Sequence, residues 1–385
     1  MKAIVIGAGI GGLTTAVALR RRGIEVEVYE AGPQWRDSGT GLGLASNATK
    51  VLDALGVDLS AGSPLEYFSI RTTAGKQLRE LPIGAITAEL GSPIVNIHRT
   101  DLIATLRAAA GDTPIRLGAR LSGYTRTGDG VTALFEDGTS AHGDVLIGAD
   151  GIGSQVRAQV AGAAPVTEHG YVCWLATVPF SDPRLPAGHA NHYWGRGVRF
   201  GLIDIGGGRV YWWGTKNLPV EQARTWNGGK DAIATVFAGW APEVTEVIDR
   251  TPDAAIHTVP AQDRPFLEVW GDGPVTLLGD AAHPMLTSLS QGGSSSVEDA
   301  YVLAHHLASD PDPLSALRGY ENARRDRTRM LVAQSRKLST LEQIQNPAVV
   351  RLRDAVIRVA PMSVLRKQNL APMRFDLPVE QFVES

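Results

Sequence analysis

The sequence predicts an α/β fold. A parallel sheet is assembled from distant strands, a mostly β lobe is inserted into it, and a helical segment closes the chain. Three observations lead there. Short apolar runs end in glycine or aspartate near 2–6, 145–149 and 275–279. Residues 171–215 alternate instead and are rich in aromatics, and the pattern turns helical after Pro313.

The first run, Lys2 to Ile6, leads into Gly7-Ala8-Gly9-Ile10-Gly11-Gly12, then a helix over Leu13 to Arg22 and a second strand, Val26 to Tyr29, ending in Glu30. In a strand, G-x-G-x-x-G, helix, strand, acid array the first glycine makes a tight turn, the second admits a pyrophosphate, and the third lets helix and strand touch. The helix N-terminus presents free N–H groups to phosphate. Glu30 is placed to accept from ribose hydroxyls. The array predicts a dinucleotide site without choosing between NAD and FAD.

Two later runs repeat the idea. Val145 to Ala149 runs into Asp150-Gly151, with Ser154 and Arg157 opening a helix, and Val275 to Leu278 runs into Gly279-Asp280. After a loop come Gln291-Gly292-Gly293 and a Ser295-x-x-Glu298 capping box, with a helix to about Leu307. If these strands lie parallel beside the first, Asp150 and Asp280 fall on the ligand side of the sheet. The alternative for both is an N-cap or Asx-turn.

In the inserted lobe five of the eight tryptophans fall between 174 and 226. Strands are expected over 198–205 and 209–215, joined by Gly206-Gly207-Gly208. Alternation puts Tyr211 and Trp213 on one face and Trp212 on the other. Tyr211 and Trp213 are the candidate substrate contacts, with Arg199 a candidate for an anionic group. Helices are expected over 314–344 and 347–367, with Arg324, Arg325, Arg327 and Arg329 on a solvated face interleaved with Glu321 and Asp326.

Composition narrows the function. With 385 residues the chain exceeds the ~250–300 at which single cores stop growing, so two lobes are expected. The net charge of -3 gives no global case for binding nucleic acid or an anionic membrane. One cysteine, Cys173, excludes an intrachain disulfide and cysteine-rich metal sites, so no metal is expected, and it suits a cytoplasmic location. No apolar run reaches the ~18–20 residues of a membrane span, and glycines interrupt the N-terminal apolar stretch, unlike a signal peptide.

The three glycine-bearing segments, in this order and spacing, resemble the single-component FAD-dependent aromatic hydroxylases, the para-hydroxybenzoate hydroxylase-like group A flavoprotein monooxygenases. The resemblance extends to His98-Arg99-x-Asp101-Leu102 and Tyr320-Glu321-x-x-Arg324-Arg325, and the opening residues and length are similar to bacterial urate and 6-hydroxynicotinate hydroxylases. It implies a Rossmann-like FAD-binding domain of GR2 type over 1–71, 99–170 and 266–330, a substrate domain over 72–98 and 171–265, and a helical segment over 331–385. It also implies that Gly7, Gly9, Gly11, Gly12 and Glu30 hold the ADP half of FAD and that Arg99 reaches its phosphates or ribityl chain. Gly279 and Asp280 would take the ribityl hydroxyls, and Gly292 and Gly293 the flavin's pyrimidine edge. Asp150 and Gly151 would serve FAD and NAD(P)H together.

The implied activity is hydroxylation or epoxidation of a small aromatic or heteroaromatic molecule by NADPH or NADH and dioxygen, through a flavin hydroperoxide. No second Rossmann fingerprint exists, so the nicotinamide docks transiently. Tyr211 and His283 are the candidate bases for a phenolic substrate. Many relatives read A-H-P-M-T-P-N-L-G-Q-G-G where this chain places Thr287 for a proline and Ser290 for a glycine, so altered oxygen chemistry is a possible consequence. The alternatives are a flavin oxidoreductase or reductase acting on an isoprenoid or polyketide without oxygen insertion, and a nucleotide-binding regulator without turnover.

Overall fold

A computed structural model describes residues 1–35 and 39–378. Its central sheet has six strands, ordered Gly271–Asp272, Val275–Leu277, Val145–Gly148, Lys2–Ile6, Glu25–Tyr29 and Ile115–Arg116. All neighbours run parallel except Gly271–Asp272 against Val275–Leu277. Ala3, Ile4, Val5, Val145, Leu146 and Ile147 are fully buried, as strands covered on both faces require. Ile6 registers with Gly148, and Gly148 with Leu277. The three chain segments therefore leave the sheet at one edge, their carboxyl ends, where open α/β sheets bind ligands.

A seven-stranded sheet forms the second lobe, ordered His257–Asp263, Thr167–Pro179, Arg209–Asn217, Val198–Asp204, His189–Trp194, Tyr67–Thr72 and Gln77–Pro82. Trp174, Phe200, Trp212 and Phe237 fill one side under the helices Lys230–Val236 and Pro242–Arg250, with Phe200 stacked on Trp212 at 5.4 Å. The predicted alternation holds: Trp212 is in this core, and Tyr211 and Trp213 lie on the opposite face.

The sheets shift two of the expected domain boundaries. Tyr67–Thr72 already belongs to the seven-stranded sheet, whereas Val95–His98 pairs with Gly41–Leu44 and Ser63–Pro64 in a small separate sheet. Hydrogen-bond register decides sheet membership, and composition does not carry it.

The helix Pro313–Glu342 links the lobes; its 30 residues span about 45 Å. At one end Tyr320 Oη donates to the Leu277 carbonyl at 3.0 Å. At the other, Arg336 meets Asp263 at 2.6 Å and Glu342 meets Arg199 at 2.6 Å. The expectation of a solvated arginine face fails at Arg324, which is 1% exposed and bonds Glu298 and Asp299. The single helix expected over 347–367 is two, Pro347–Val359 and Met362–Met373, because Pro361 cannot continue the first. No described helix is long and apolar enough to cross a membrane.

Candidate functional site

The glycine loop between Lys2–Ile6 and the helix Ile10–Arg20 has three separate geometric demands. Gly7 adopts φ +106°, and a Cβ there would lie 2.4 Å from the Ala149 carbonyl oxygen. A Cβ on Gly12 would lie 1.9 Å from the Gly7 carbonyl oxygen, so helix and strand touch there. A Cβ on Gly9 would meet nothing within 4 Å. Gly9 therefore faces open space, while Gly11 fits under Leu278 and Ser296. The helix has no capping side chain and no acid in its first turn, which leaves its terminal N–H groups to an outside acceptor. Glu30 accepts from the Ala8 N–H at 2.9 Å and the Gly32 N–H at 2.8 Å, fixing the loop.

Asp280 follows Gly279, whose φ is +61°. Its side chain is solvent-exposed yet surrounded by protein, as at the floor of a deep cleft. That crowding pushes its carboxyl up, against the attraction of His283 and Arg99. Arg99 opens the helix Arg99–Ala110, which is capped by His98, and is itself exposed. Gly292 is the first residue of the helix Gly292–Ser309, whose N-terminus again has no side-chain cap and no acid. The predicted capping box is absent: Ser295 lies inside the helix, and Glu298 pairs with Arg324 and Arg327 at 2.6 Å. Asn47 pins this helix start through the Gln291 side chain at 3.0 Å.

His283, the other candidate base, does not line an exposed surface. It is 1% exposed, and its Nε2 lies 2.6 Å from Asp299 Oδ2. Asp299 also accepts from the Gly279 N–H at 3.0 Å and Arg324 Nε at 2.7 Å. Burial favours the neutral Asp299 acid, but His283 and Arg324 outweigh it and hold the carboxyl down at about 2. Arg157, 3% exposed, donates to the Ala281, Ala282 and Pro265 carbonyls at 3.0, 2.9 and 2.8 Å. It thus connects the Asp-Gly segment to the Gly-Asp turn.

Asp150 takes the alternative reading. Its Oδ2 accepts from the Gln155 and Val156 N–H groups at 2.8 and 3.3 Å, at the start of the helix Gln155–Ala161. Its Oδ1 is buried without a partner, and burial raises its carboxyl. Gly151 has φ +77° and open space around its missing Cβ.

The face of the seven-stranded sheet opposite the tryptophan core turns to the sheet edge carrying Gly41. A Cβ on Gly41 would lie 2.3 Å from Tyr211 Cβ, so the tyrosine rests on that glycine. Trp213 folds over Gly201 and meets the His192 ring edge-on at 4.8 Å, and Phe68 meets His192 at 4.6 Å. Tyr211, Trp213 and His192 all keep part of their surface accessible. Burial pushes the Tyr211 hydroxyl well above its usual range, so it is a neutral donor and not the expected base. Burial, with Arg199 nearby, pulls His192 down to about 3, which keeps its imidazole neutral at working pH. Arg199 is not free for an anionic group: it is 3% exposed and bonds Glu342 at 2.6 Å, with its guanidinium 5.0 Å over Trp213.

Two sequence candidates, Tyr211 and Trp213, thus share one face of the seven-stranded sheet, and the three glycine segments share the carboxyl edge of the six-stranded sheet. His192, Phe68, Asn47 and Asp299 were not singled out, and Arg157 was noted only as part of a helix start. Alternation could have offered His192 and Phe68, but the pairing of Tyr67–Thr72 with His189–Trp194 spans over a hundred residues and leaves no local signal.

The donor set fits a dinucleotide-linked flavin. The open cradle at Gly9 and two uncapped helix N-termini suit anionic groups, and Asp280 suits hydroxyls. The model of the FAD binding domain family matches residues 1–335. Aurachin C monooxygenase/isomerase of Stigmatella aurantiaca is 34% identical over 359 residues, 92% of this chain and 93% of that protein. FAD-dependent urate hydroxylase of Klebsiella pneumoniae subsp. pneumoniae is 35% identical over 343 residues, 88% of this chain and 89% of that protein. The structure of Klebsiella pneumoniae HpxO complexed with FAD and uric acid is similar at TM-score 0.90 and 30% identity, covering 97% of this chain and 96% of that one.

Proposed function

The chain belongs to the FAD binding domain family of flavoprotein monooxygenases, and on that premise we propose that it inserts one atom of dioxygen into a small heteroaromatic molecule held against the Tyr211–Trp213 face. It is an FAD-dependent monooxygenase that draws electrons from NADPH or NADH. Bound FAD supplies the dioxygen activation that side chains lack. The observation that carries the reading is the exposed Asp280 carboxylate at the cleft floor, set beside the uncapped start of the helix Gly292–Ser309.

In this reading the N–H groups after Gly9 hold the pyrophosphate, and Glu30 keeps lone pairs beyond those used by Ala8 and Gly32 for ribose. Asp280 accepts from the ribityl chain, and Arg99, Asp150 and Gly151 line the same edge. The N–H groups at Gly292 and Gly293 face the flavin's pyrimidine edge, where a helix N-terminus favours negative charge. Tyr211 donates a hydrogen bond to the substrate. Neutral His192 offers one donor and one acceptor, matching a ring that presents both, such as a lactam edge. Phe68 and Trp213 clamp the ring and exclude water, which protects reactive oxygen chemistry from side reactions.

The test is FAD-loaded protein with NADPH, isotopically labelled dioxygen and a panel of heteroaromatics that includes uric acid, the compound in the similar FAD complex. At least one compound should stimulate NADPH oxidation and emerge with one labelled oxygen. Anaerobic turnover to an unlabelled product would overturn oxygen insertion. Failure of every compound to stimulate would overturn the heteroaromatic class.

A further inference from the structure

The two C-terminal helices carry a surface that the flavin chemistry does not use. The structure shows fifteen large exposed hydrophobic side chains among the described residues, and seven of them fall between Leu341 and Val364. Four line the helix Pro347–Val359: Val349 at 43% exposed, Leu352 at 64%, Val356 at 54% and Val359 at 77%. At 100° per residue these four occupy an arc of ~80°. Met362 and Val364 continue the exposed apolar surface on the next helix.

The adjoining flank of the same helix is spoken for. Val350 and Arg353 are buried, and Arg353 donates to the Gly195 carbonyl at 3.4 Å while its guanidinium lies 5.1 Å over Trp194. From the neighbouring strand Arg79 donates to the Arg358 and Ala360 carbonyls at 3.3 and 2.9 Å, which ties down the helix end. The helix is therefore fixed on the substrate lobe by one flank, and the apolar stripe beside that flank is left uncovered.

Charge then selects the occupant. Residues 347–374 hold six cations (Arg351, Arg353, Arg358, Arg366, Lys367 and Arg374) against one acid, Asp354, in a chain whose net charge is -3. Asp354 is already bound to Arg353 at 2.9 Å. Arg351, Arg358 and Lys367 are exposed and join no ion pair among the described residues. A second copy packed stripe to stripe would bring these cations together with no free acid to offset them. The stripe is aliphatic and lacks the aromatic anchors of a protein hot spot. An apolar stripe with cations on its solvent-facing flank is the pattern of a helix lying in a lipid interface.

We propose that the helix Pro347–Val359, extended by Met362 and Val364, docks the enzyme on an anionic lipid bilayer, the apolar stripe entering the acyl boundary and Arg351, Arg358 and Lys367 meeting the headgroups. Docking sets the substrate lobe directly above the lipid. It is an interfacial contact, distinct from a membrane span, and it does not depend on the substrate class proposed above.

The experiment is co-sedimentation of the FAD-loaded full chain with vesicles of phosphatidylglycerol and phosphatidylcholine, or of phosphatidylcholine alone, at low and high salt. The expected result is binding to the anionic vesicles that falls at least tenfold on pure phosphatidylcholine and weakens with salt. Leu352→Glu/Val356→Glu and, separately, Arg351→Glu/Arg358→Glu should each reduce it at least tenfold while keeping flavin absorbance and lipid-free NADPH oxidation. These positions are exposed, so retained flavin reports an intact fold. Absence of binding to anionic vesicles at low salt overturns the proposal, as does binding that both double variants retain. A lipid-free dimer dissociated by Leu352→Glu/Val356→Glu would show that a second copy covers the stripe, and also overturns it.

Discussion

The two walls of the cleft are made of different material. The cofactor wall is backbone: glycines at the carboxyl ends of parallel strands, two uncapped helix starts, and a few carboxylates. The substrate wall is side chain: Tyr211, Trp213, His192 and Phe68 on strands from three separated parts of the sequence. Backbone recognition forbids a Cβ and so writes a spacing into the sequence. Side-chain recognition tolerates many residues and writes only alternation.

The largest expected effect separates the two jobs that glycine does on the cofactor wall. A valine at Gly9 meets no protein atom near its Cβ but fills the space a pyrophosphate needs, whereas any side chain at Gly12 strikes the Gly7 carbonyl. Gly9→Val should fold as the apoprotein with wild-type thermal stability and lose FAD affinity by at least ~100-fold, a loss of ~2.7 kcal/mol. Gly12→Ala should lower the stability of the apoprotein itself. Fluorescence titration with FAD and thermal melts of both apoproteins read the difference. Equal FAD binding by Gly9→Val and wild type would remove the pyrophosphate from this loop.

This contrast also explains what the sequence could disclose. The strand–glycine–helix array, the Gly-Asp turn and the two faces around Trp212 were legible because each follows from a local rule of spacing or alternation. The buried cluster of His283, Asp299, Glu298 and Arg324 was not. Asp299, Glu298 and Arg324 sit at ordinary helical positions and His283 in a loop, and only the packing of Gly292–Ser309 against Pro313–Glu342 turns one of a run of arginines from surface to core. The docking stripe was hidden for the opposite reason. The net charge averages over the chain, and the apolar spacing of the helix 347–359 reads as a core face until the structure shows which side is covered.

On the substrate wall the corresponding test is a pH dependence. His192 is held neutral down to about 3, whereas an unfolded histidine titrates near ~6.5. Between those values the unfolded chain binds the extra proton, so the His192 contribution to stability is fully present above ~6.5 and is lost progressively as pH falls toward about 3. Urea unfolding at pH 7.5 and 5.0 should show a smaller drop for His192→Phe than for the wild type. An identical drop in both proteins would mean that solvent reaches the imidazole freely and that the cavity is wetter than its aromatic lining implies.

The smallest effect concerns the loop where the walls meet. Ser290, with φ 52° and ψ 31°, is the one described non-glycine residue in the left-handed region, and its N–H closes the turn to the Thr287 carbonyl at 2.9 Å. The family resemblance leads one to expect glycine here, and this geometry supplies a reason, since a Cβ in that region costs roughly 1–2 kcal/mol. Ser290→Gly removes the strain but frees the unfolded chain, which returns roughly 0.5–1 kcal/mol of the gain. The net expectation is a stabilisation of about 0.5 kcal/mol, measured by urea unfolding of the apoprotein. A destabilisation of that size would show that the serine hydroxyl contributes to holding the loop, and that this chain's departure from glycine is compensated within the turn.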